Sequence, residues 1–221
     1  MGGKITRFFS EKLPRDSRER FHALDSLGFT PVFTLRQEHG DTVVRLRKPY
    51  RFPGIDALIA SQPRGDSVVT DQPGLYVGVK TADCVPILLW DEEAGVVAAA
   101  HAGWRGTAKN IAGKTIAIMR DEFGAKNISA AIGPCICAHC FETDEDVPDV
   151  MPPEAFDFIT GISPGRFTVD LPGINAALLR QAGVAGVALP PACTACNPEV
   201  YWSHRKHKND RGLQVSLIGI S

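Results

Sequence analysis

Apolar residues in this chain gather in short runs of strand length more often than in helical stripes. Two runs dominate the middle, V-P-I-L-L-W at residues 85–90 and V-V-A-A-A at 96–100, with the acidic turn D-E-E-A-G between them. Both are rich in β-branched or small residues and bounded by turn residues, which predicts a hairpin of two buried strands. An antiparallel hairpin brings its outer ends together. Cys84, just before the first strand, and His101, just after the second, therefore become neighbours.

The flanking pattern supplies further elements. Residues 4–9 read as a strand, and Asp16 or Ser17 caps a helix carrying Phe21, Leu24 and Leu27 on one face until Gly28 stops it. Strands at 31–35 and 42–47 flank Arg36-Gln37-Glu38-His39-Gly40, leaving His39 at a strand-to-turn junction. Residues 51–63 read as loop, and strands at 68–70 and 75–79 frame a turn. Thr107 is expected to cap a helix of about four turns that ends at Gly124. The free N–H groups of that helix would point back at His101 and suit an anion such as phosphate, with Arg105 beside them. A strand at 128–132, a short helix at 153–159, a strand at 167–171, a helix at 171–183 and a strand at 187–189 follow. The polar segment 206–211 reads as a mobile loop before a last strand at 214–220. No repeat or linker divides the chain, so the expectation is one α+β domain over residues 1–221, with mixed β-sheets flanked by helices.

Composition narrows the classes of function. A hydrophobic content of 44%, a charged content of 22% and a net charge of −1 are those of an ordinary globular protein, and give no reason to expect nucleic acid or an anionic membrane as partner. No run reaches the roughly 18 apolar residues of a membrane span, and the first residues lack the apolar region of a secretory signal. A cytoplasmic setting follows, in which the six cysteines are reduced, catalytic or metal-binding rather than cross-linked. Nothing in the chain sets an oligomeric state.

A thiolate and two imidazoles from separate strand ends make a sound zinc site, with three protein ligands and a fourth position open. Cys84 and His101 alone could instead act as nucleophile and base in a metal-free cysteine hydrolase. Asp83 and Glu38, each next to one of these residues, are either proton carriers and outer partners or turn carboxylates in solvent. A second group of thiols, Cys135, Cys137 and Cys140 with His139, and Cys193 with Cys196, is open to two readings: a structural zinc or iron–sulfur site, or small buried thiols. The P-x-C-x-x-C of residues 191–196 lacks the H-x-E partner of the zinc nucleobase deaminases, which excludes that family.

Q-E-H-G at 37–40, T-A-D-C-V-P at 81–86 and H-A-G-W-R-G at 101–106 resemble, in that order, the signatures of the YfiH family, also labelled laccase-domain or multicopper polyphenol oxidase. A-I-G-P-C-I at 131–136 and S-H-R at 203–205 resemble its two later signatures, so the likeness runs over roughly residues 33–220. The resemblance implies a YfiH-like (cytotoxic necrotizing factor-like) α/β sandwich. It implies a zinc-dependent purine nucleoside phosphorylase that takes adenosine, inosine, guanosine or methylthioadenosine with phosphate and also deaminates adenosine. Zinc would be held by His39, Cys84 and His101, with Asp83 among the catalytic residues and Gln37, Arg105 and Arg205 in contact with substrate. Copper fits similar ligands, and the alternatives carried by the family are a peptidoglycan-precursor editing hydrolase, which would use Cys84 and His101, and a copper polyphenol oxidase; a non-catalytic nucleoside-binding protein is a further class. The chain departs from the family pattern at Glu38, where valine is usual, at Lys80, and in the extra thiols Cys137, Cys140 and Cys196.

Overall fold

In the computed structural model, which describes residues 4–221, thirteen strands and six α-helices succeed one another along the chain. In order they are β1 (Ile5–Phe9), α1 (Ser17–Ser26), β2 (Val32–Thr34), β3 (Val43–Leu46), α2 (Ile55–Ala60), β4 (Ser67–Thr70), β5 (Tyr76–Thr81), β6 (Val85–Asp91) and β7 (Val96–Ala102). Then come α3 (Trp104–Ala108), α4 (Ile111–Phe123), β8 (Ser129–Ile132), β9 (Glu142–Thr143), β10 (Ile159–Ser163), β11 (Arg166–Val169), α5 (Leu171–Gln181), β12 (Val187–Ala188), α6 (His204–His207) and β13 (Gln214–Ile220). Residues 1–3, at the start of the stretch expected to lack a secretory signal, lie outside the described residues.

The strands form a six-stranded sheet in the order β12-β8-β6-β7-β4-β3, a four-stranded sheet β1-β13-β5-β2 and a small sheet β10-β11-β9. The expected hairpin lies at the centre of the large sheet, with Val85 opposite Ala102, Pro86 opposite His101 and Asp91 opposite Val96. All seven residues of β7 are buried because both faces of this sheet are covered. Alternate residues enter different cores, as the two-residue period of a strand requires. Val96, Ala98, Ala100 and Ala102 pack with Ile111, Ala112, Ile116 and Met119 of α4 and with Ile174 and Leu178 of α5. Val97 and Ala99 join Leu88 of β6, Val77 and Val79 of β5, and Val215 and Leu217 of β13 in a core between the two large sheets. Small side chains at 98 and 100 let α4 lie close on the strand at interior packing density. Position 101 shares its parity with 97 and 99, and position 84 with 86 and 88. His101 and Cys84 therefore leave the hairpin on the same side of the sheet.

The closed end is tied by Asp91, 1% exposed, whose carboxylate accepts from the N–H groups of Glu93 and Ala94 in the turn and of Lys126 and Asn127 after α4. That satisfies a buried charge with four donors, which a lone turn carboxylate would lack.

Several elements differ from the sequence reading. The helix expected to start at Thr107 is broken. Short α3 runs from Trp104, Asn110 then turns left-handed (φ 53°), and its side chain caps α4 by accepting from Gly113 N–H at 3.0 Å. Thr107 lies inside α3, its N–H bonded to Gly103 O at 2.8 Å and its hydroxyl accepting from Asn175 Nδ2 at 2.9 Å. The long helix therefore does not aim its N-terminus at His101. Within the stretch read as loop, residues 55–60 coil into α2 after Gly54 (φ 92°), and α6 occupies the start of the polar segment. The expected turn at 71–74 is present and carries the chain from one large sheet to the other, since β4 pairs with β3 and β7 while β5 pairs with β2 and β13. Among the described residues no helix is long and apolar enough to cross a membrane.

Candidate metal centre

The open end of the hairpin places Cys84 and His101 together, and the turn after β2 brings His39 onto them. One ligating atom from each lies within 4.8 Å of the others. The two imidazole rings meet edge to face, with centroids 4.9 Å apart. His39 sits in the left-handed region at φ 57°, a conformation that histidine adopts more readily than most residues. Gly103 is required by closeness: a Cβ there would stand 3.1 Å from Cys84 Sγ and 3.3 Å from His39 Cδ2. At Gly106 a Cβ would stand 3.1 Å from Gly40 O, so both glycines of H-A-G-W-R-G make room for the His39 turn.

Asp66, immediately before β4, organises the group and escaped the sequence reading. Its Oδ1 accepts from His101 Nδ1 at 2.8 Å and from His39 N–H at 2.9 Å, and its Oδ2 from Gly40 N–H at 2.8 Å and Glu38 N–H at 3.2 Å. His101 N–H in turn donates to Asp66 O at 2.7 Å. With Nδ1 held by a carboxylate, His101 presents Nε2 as its ligating atom, the arrangement that orients metal-binding imidazoles. Burial works against the charge on Asp66, yet the His101 bond and the Gly40 and Glu38 N–H groups hold its carboxyl below the usual range. Burial likewise opposes ionisation of Cys84, but the charge of His101 and hydrogen bonds from both imidazoles outweigh it and draw the thiol down to about 6. His101 is pushed up to about 9, against burial, by Cys84 and Asp66. Metal binding would displace the Nε2 proton of His101, and the donors are then a thiolate and two imidazoles with a satisfied outer partner, a set that fits zinc or copper.

The remaining predicted residues fall around this centre. Asp83 carries a left-handed backbone (φ 88°) just before Cys84, a strained conformation of the kind met at functional sites. Both its carboxylate oxygens are engaged, Oδ1 by Thr194 Oγ1 at 2.6 Å and Oδ2 by Arg205 N–H at 2.7 Å. The amide of Gln37 brackets the backbone of Lys80, donating to its carbonyl at 2.7 Å and accepting from its N–H at 2.8 Å. Lys80 is mostly buried, and its ammonium is lowered to about 8 by burial and by the nearby charge of Arg20. Arg105 stacks on Trp104 at 3.9 Å, and Arg205 donates to Glu142 O at 2.8 Å. Glu38 pairs with Arg64 at the surface.

Two cavities adjoin the ligands and share His39, Ala82, Cys84 and Arg211 as wall. One, of about 350 Å³, combines apolar Trp104, Ile136, Phe141 and Leu171 with Arg105 and Arg205. The other, of about 270 Å³, is more polar, with Arg36, Gln37, Gln62 and Lys80. Phe141, Leu171 and Arg211 had no local signal in the sequence, because β9, α5 and the segment before β13 reach the cavity only through tertiary packing.

A family model described as multi-copper polyphenol oxidoreductase laccase matches residues 14–221. The chain belongs to this laccase-like family. Among relatives of this laccase-like chain, it is 34% identical over 191 residues to purine nucleoside phosphorylase YlmD of Geobacillus stearothermophilus, covering 83% of this chain and 70% of the relative. It is 36% identical over 178 residues to adenosine deaminase RL5 of an unknown prokaryotic organism, covering 77% and 68%. Among solved structures, the hypothetical protein YfiH of Bacillus licheniformis superposes with a TM-score of 0.89 at 26% identity, covering 98% of this chain and 93% of that one. YlmD of Geobacillus stearothermophilus superposes with a TM-score of 0.85 at 29% identity, covering 99% and 91%. The fold is the α+β sandwich of these laccase-like proteins. Among the described residues, only this His-Cys-His set and a group of four cysteines bring three or more His, Cys, Asp or Glu side chains close enough to share an ion.

Proposed function

We propose that this member of the laccase-like family is a zinc-dependent purine nucleoside phosphorylase acting in the cytoplasm. It would take adenosine, inosine, guanosine or methylthioadenosine with phosphate. The observation that carries this reading is the His39, Cys84 and His101 group opening on a cavity of about 350 Å³ with apolar and cationic walls. A volume of this size suits a nucleoside-sized ligand. The relatives named purine nucleoside phosphorylase support the choice of substrate.

In phosphorolysis the glycosidic bond from the ribose C1′ to the purine nitrogen breaks, and C1′ bonds to a phosphate oxygen. The purine leaves with a proton. Trp104, Ile136, Phe141 and Leu171 offer apolar surface to the flat base and exclude water from it. Arg105 and Arg205 are the cations for phosphate, since guanidinium groups match its oxygens in pairs. Asp83 positions rather than reacts: its engaged carboxylate fixes the turn before Cys84 and the start of α6, which carries Arg205. His39, Cys84 and His101 would hold the zinc, which would supply Lewis-acid chemistry at the cavity wall. Copper competes for the same donors in the Irving–Williams order.

Adenosine deamination is a second activity of the same site, favoured by the likeness to the relative named adenosine deaminase RL5. Incubating purified protein with each nucleoside, with and without phosphate, separates the two. Free base and the corresponding sugar 1-phosphate (ribose 1-phosphate, or 5-methylthioribose 1-phosphate from methylthioadenosine) formed only with phosphate support the phosphorylase, and inosine formed from adenosine without phosphate supports deamination. Neither product from any of the four nucleosides with the zinc-loaded protein overturns the reading.

A further inference from the structure

The four-cysteine group lies outside the cavity residues and plays no part in the chemistry above. Cys137 and Cys140 bracket a 3-10 turn after β8, and Cys193 and Cys196 bracket a turn after β12, each pair spaced C-x-x-C. One sulfur from each lies within 4.8 Å of the other three, and Cys140 Sγ stands 3.4 Å from Cys196 Sγ. All four are free thiols. The N–H of Cys137 donates to Cys193 Sγ at 3.3 Å, so one turn already solvates a sulfur of the other. Cys135, by contrast, is 1% exposed, packs in the core beside α5 and is absent from the group.

We propose that Cys137, Cys140, Cys193 and Cys196 form a tetrathiolate zinc site that joins the two turns and braces one wall of the active-site cavity. Four thiolates at a zinc–sulfur distance of about 2.3 Å in a tetrahedron stand roughly 3.8 Å apart, close to the spacing of this group. So tight a cage encloses one ion rather than a cluster of several irons. Four protein ligands leave no open coordination position, so the site is structural. Its binding converts four thiols to thiolates and releases their protons.

The two turns reach the catalytic side through short bonds. Thr194, between Cys193 and Cys196, donates its hydroxyl to Asp83 Oδ1 at 2.6 Å and its N–H to Cys135 O at 3.0 Å. Ile136, beside Cys137, lines the cavity and donates its N–H to Asp83 O at 2.9 Å. Asp83 is the left-handed residue that turns the chain into Cys84. A metal joining residues 137–140 to residues 193–196 therefore holds both partners of that turn in place.

The test uses Cys84→Ala protein, which lacks the thiolate of the other centre, so its outcome is independent of whether the nucleoside reading survives. Purified under reducing conditions, it should retain about one zinc per chain. Its cobalt(II)-substituted form should show the strong sulfur charge-transfer and visible d–d absorption of tetrahedral thiolate ligation. Adding Cys196→Ser, at the exposed corner, should weaken zinc retention in a chelator competition at least about tenfold, as breaking a closed four-ligand site predicts. Should that variant fail to fold, thiol labelling of the folded Cys84→Ala protein decides: zinc should protect four cysteines, and chelation should expose them. No stoichiometric metal in Cys84→Ala protein, stoichiometric iron in place of zinc, a six-coordinate cobalt spectrum, or a Cys140–Cys196 disulfide in the reduced preparation would each overturn the proposal.

Discussion

The His39–Cys84–His101 group and the four-cysteine group both form where chain segments end or turn, yet they differ in donors, burial and surroundings. The first mixes one sulfur with two nitrogens, has His101 only 2% exposed, and is backed by the buried carboxylate of Asp66. Two cavities open beside it. The second has four like donors, lies at the surface with Cys196 exposed, and has no cavity residue among its sulfurs. A three-ligand group beside a cavity leaves a position for a reacting molecule, whereas a closed four-ligand group leaves none. On these proposals chemistry belongs to the first group and bracing of a wall to the second, and Thr194 and Asp83 link the two.

The comparison breaks most completely at Cys84. Replacing it with alanine should remove metal from the first centre only and lower phosphorolysis by about 10³-fold or more, roughly 4 kcal/mol in the barrier. Steady-state rates with metal analysis check this. Activity that survives chelation but is lost on alkylation of Cys84 would favour the cysteine-hydrolase reading instead.

Next in size is Asp66→Asn. The amide keeps the shape but loses the charge that steadies His101 Nδ1–H and three backbone N–H groups. Loss of such an outer partner typically costs about 10- to 100-fold in metal affinity or activity. A chelator competition should show that loss at the first centre and none at the four cysteines.

Much of the centre was legible because it lies next to local signals. The 85–90 and 96–100 runs and the intervening turn define the hairpin, and the hairpin alone joins Cys84 to His101. Asp66 escaped notice because its neighbours, G-D-S, look like any turn. Its meaning depends on β4 pairing with β7, Ser67 opposite Ala100, which carries it to His101. The break at Asn110 was hidden for a related reason: the apolar pattern runs through it, while the left-handed cap is a single-residue event. The four-cysteine group was half visible as two C-x-x-C pairs. Only the parallel bridge of Cys135 with Cys193 brings the two pairs together and leaves Cys135 in the core.

Smaller effects sharpen the link between the centres. Thr194→Val removes a donor from a buried carboxylate oxygen and should cost about 1–3 kcal/mol in stability. Urea unfolding measures that cost, and turnover should fall less than in Asp66→Asn. Arg105→Ala should act mildly and selectively. It should raise KM for phosphate about tenfold, the loss of one charge-assisted contact of roughly 1.4 kcal/mol, and leave KM for the nucleoside little changed. An equal rise in both would remove Arg105 from the phosphate subsite.

If the His39, Cys84 and His101 group holds the zinc on which nucleoside cleavage depends, metal-stripped wild-type protein given inosine and phosphate, before and after zinc is restored, should differ from Cys84→Ala protein treated identically. Hypoxanthine release that is absent without zinc, returns with it, and never returns in the variant is the expected result. Full hypoxanthine release by the stripped wild-type protein, or by the variant, would contradict it.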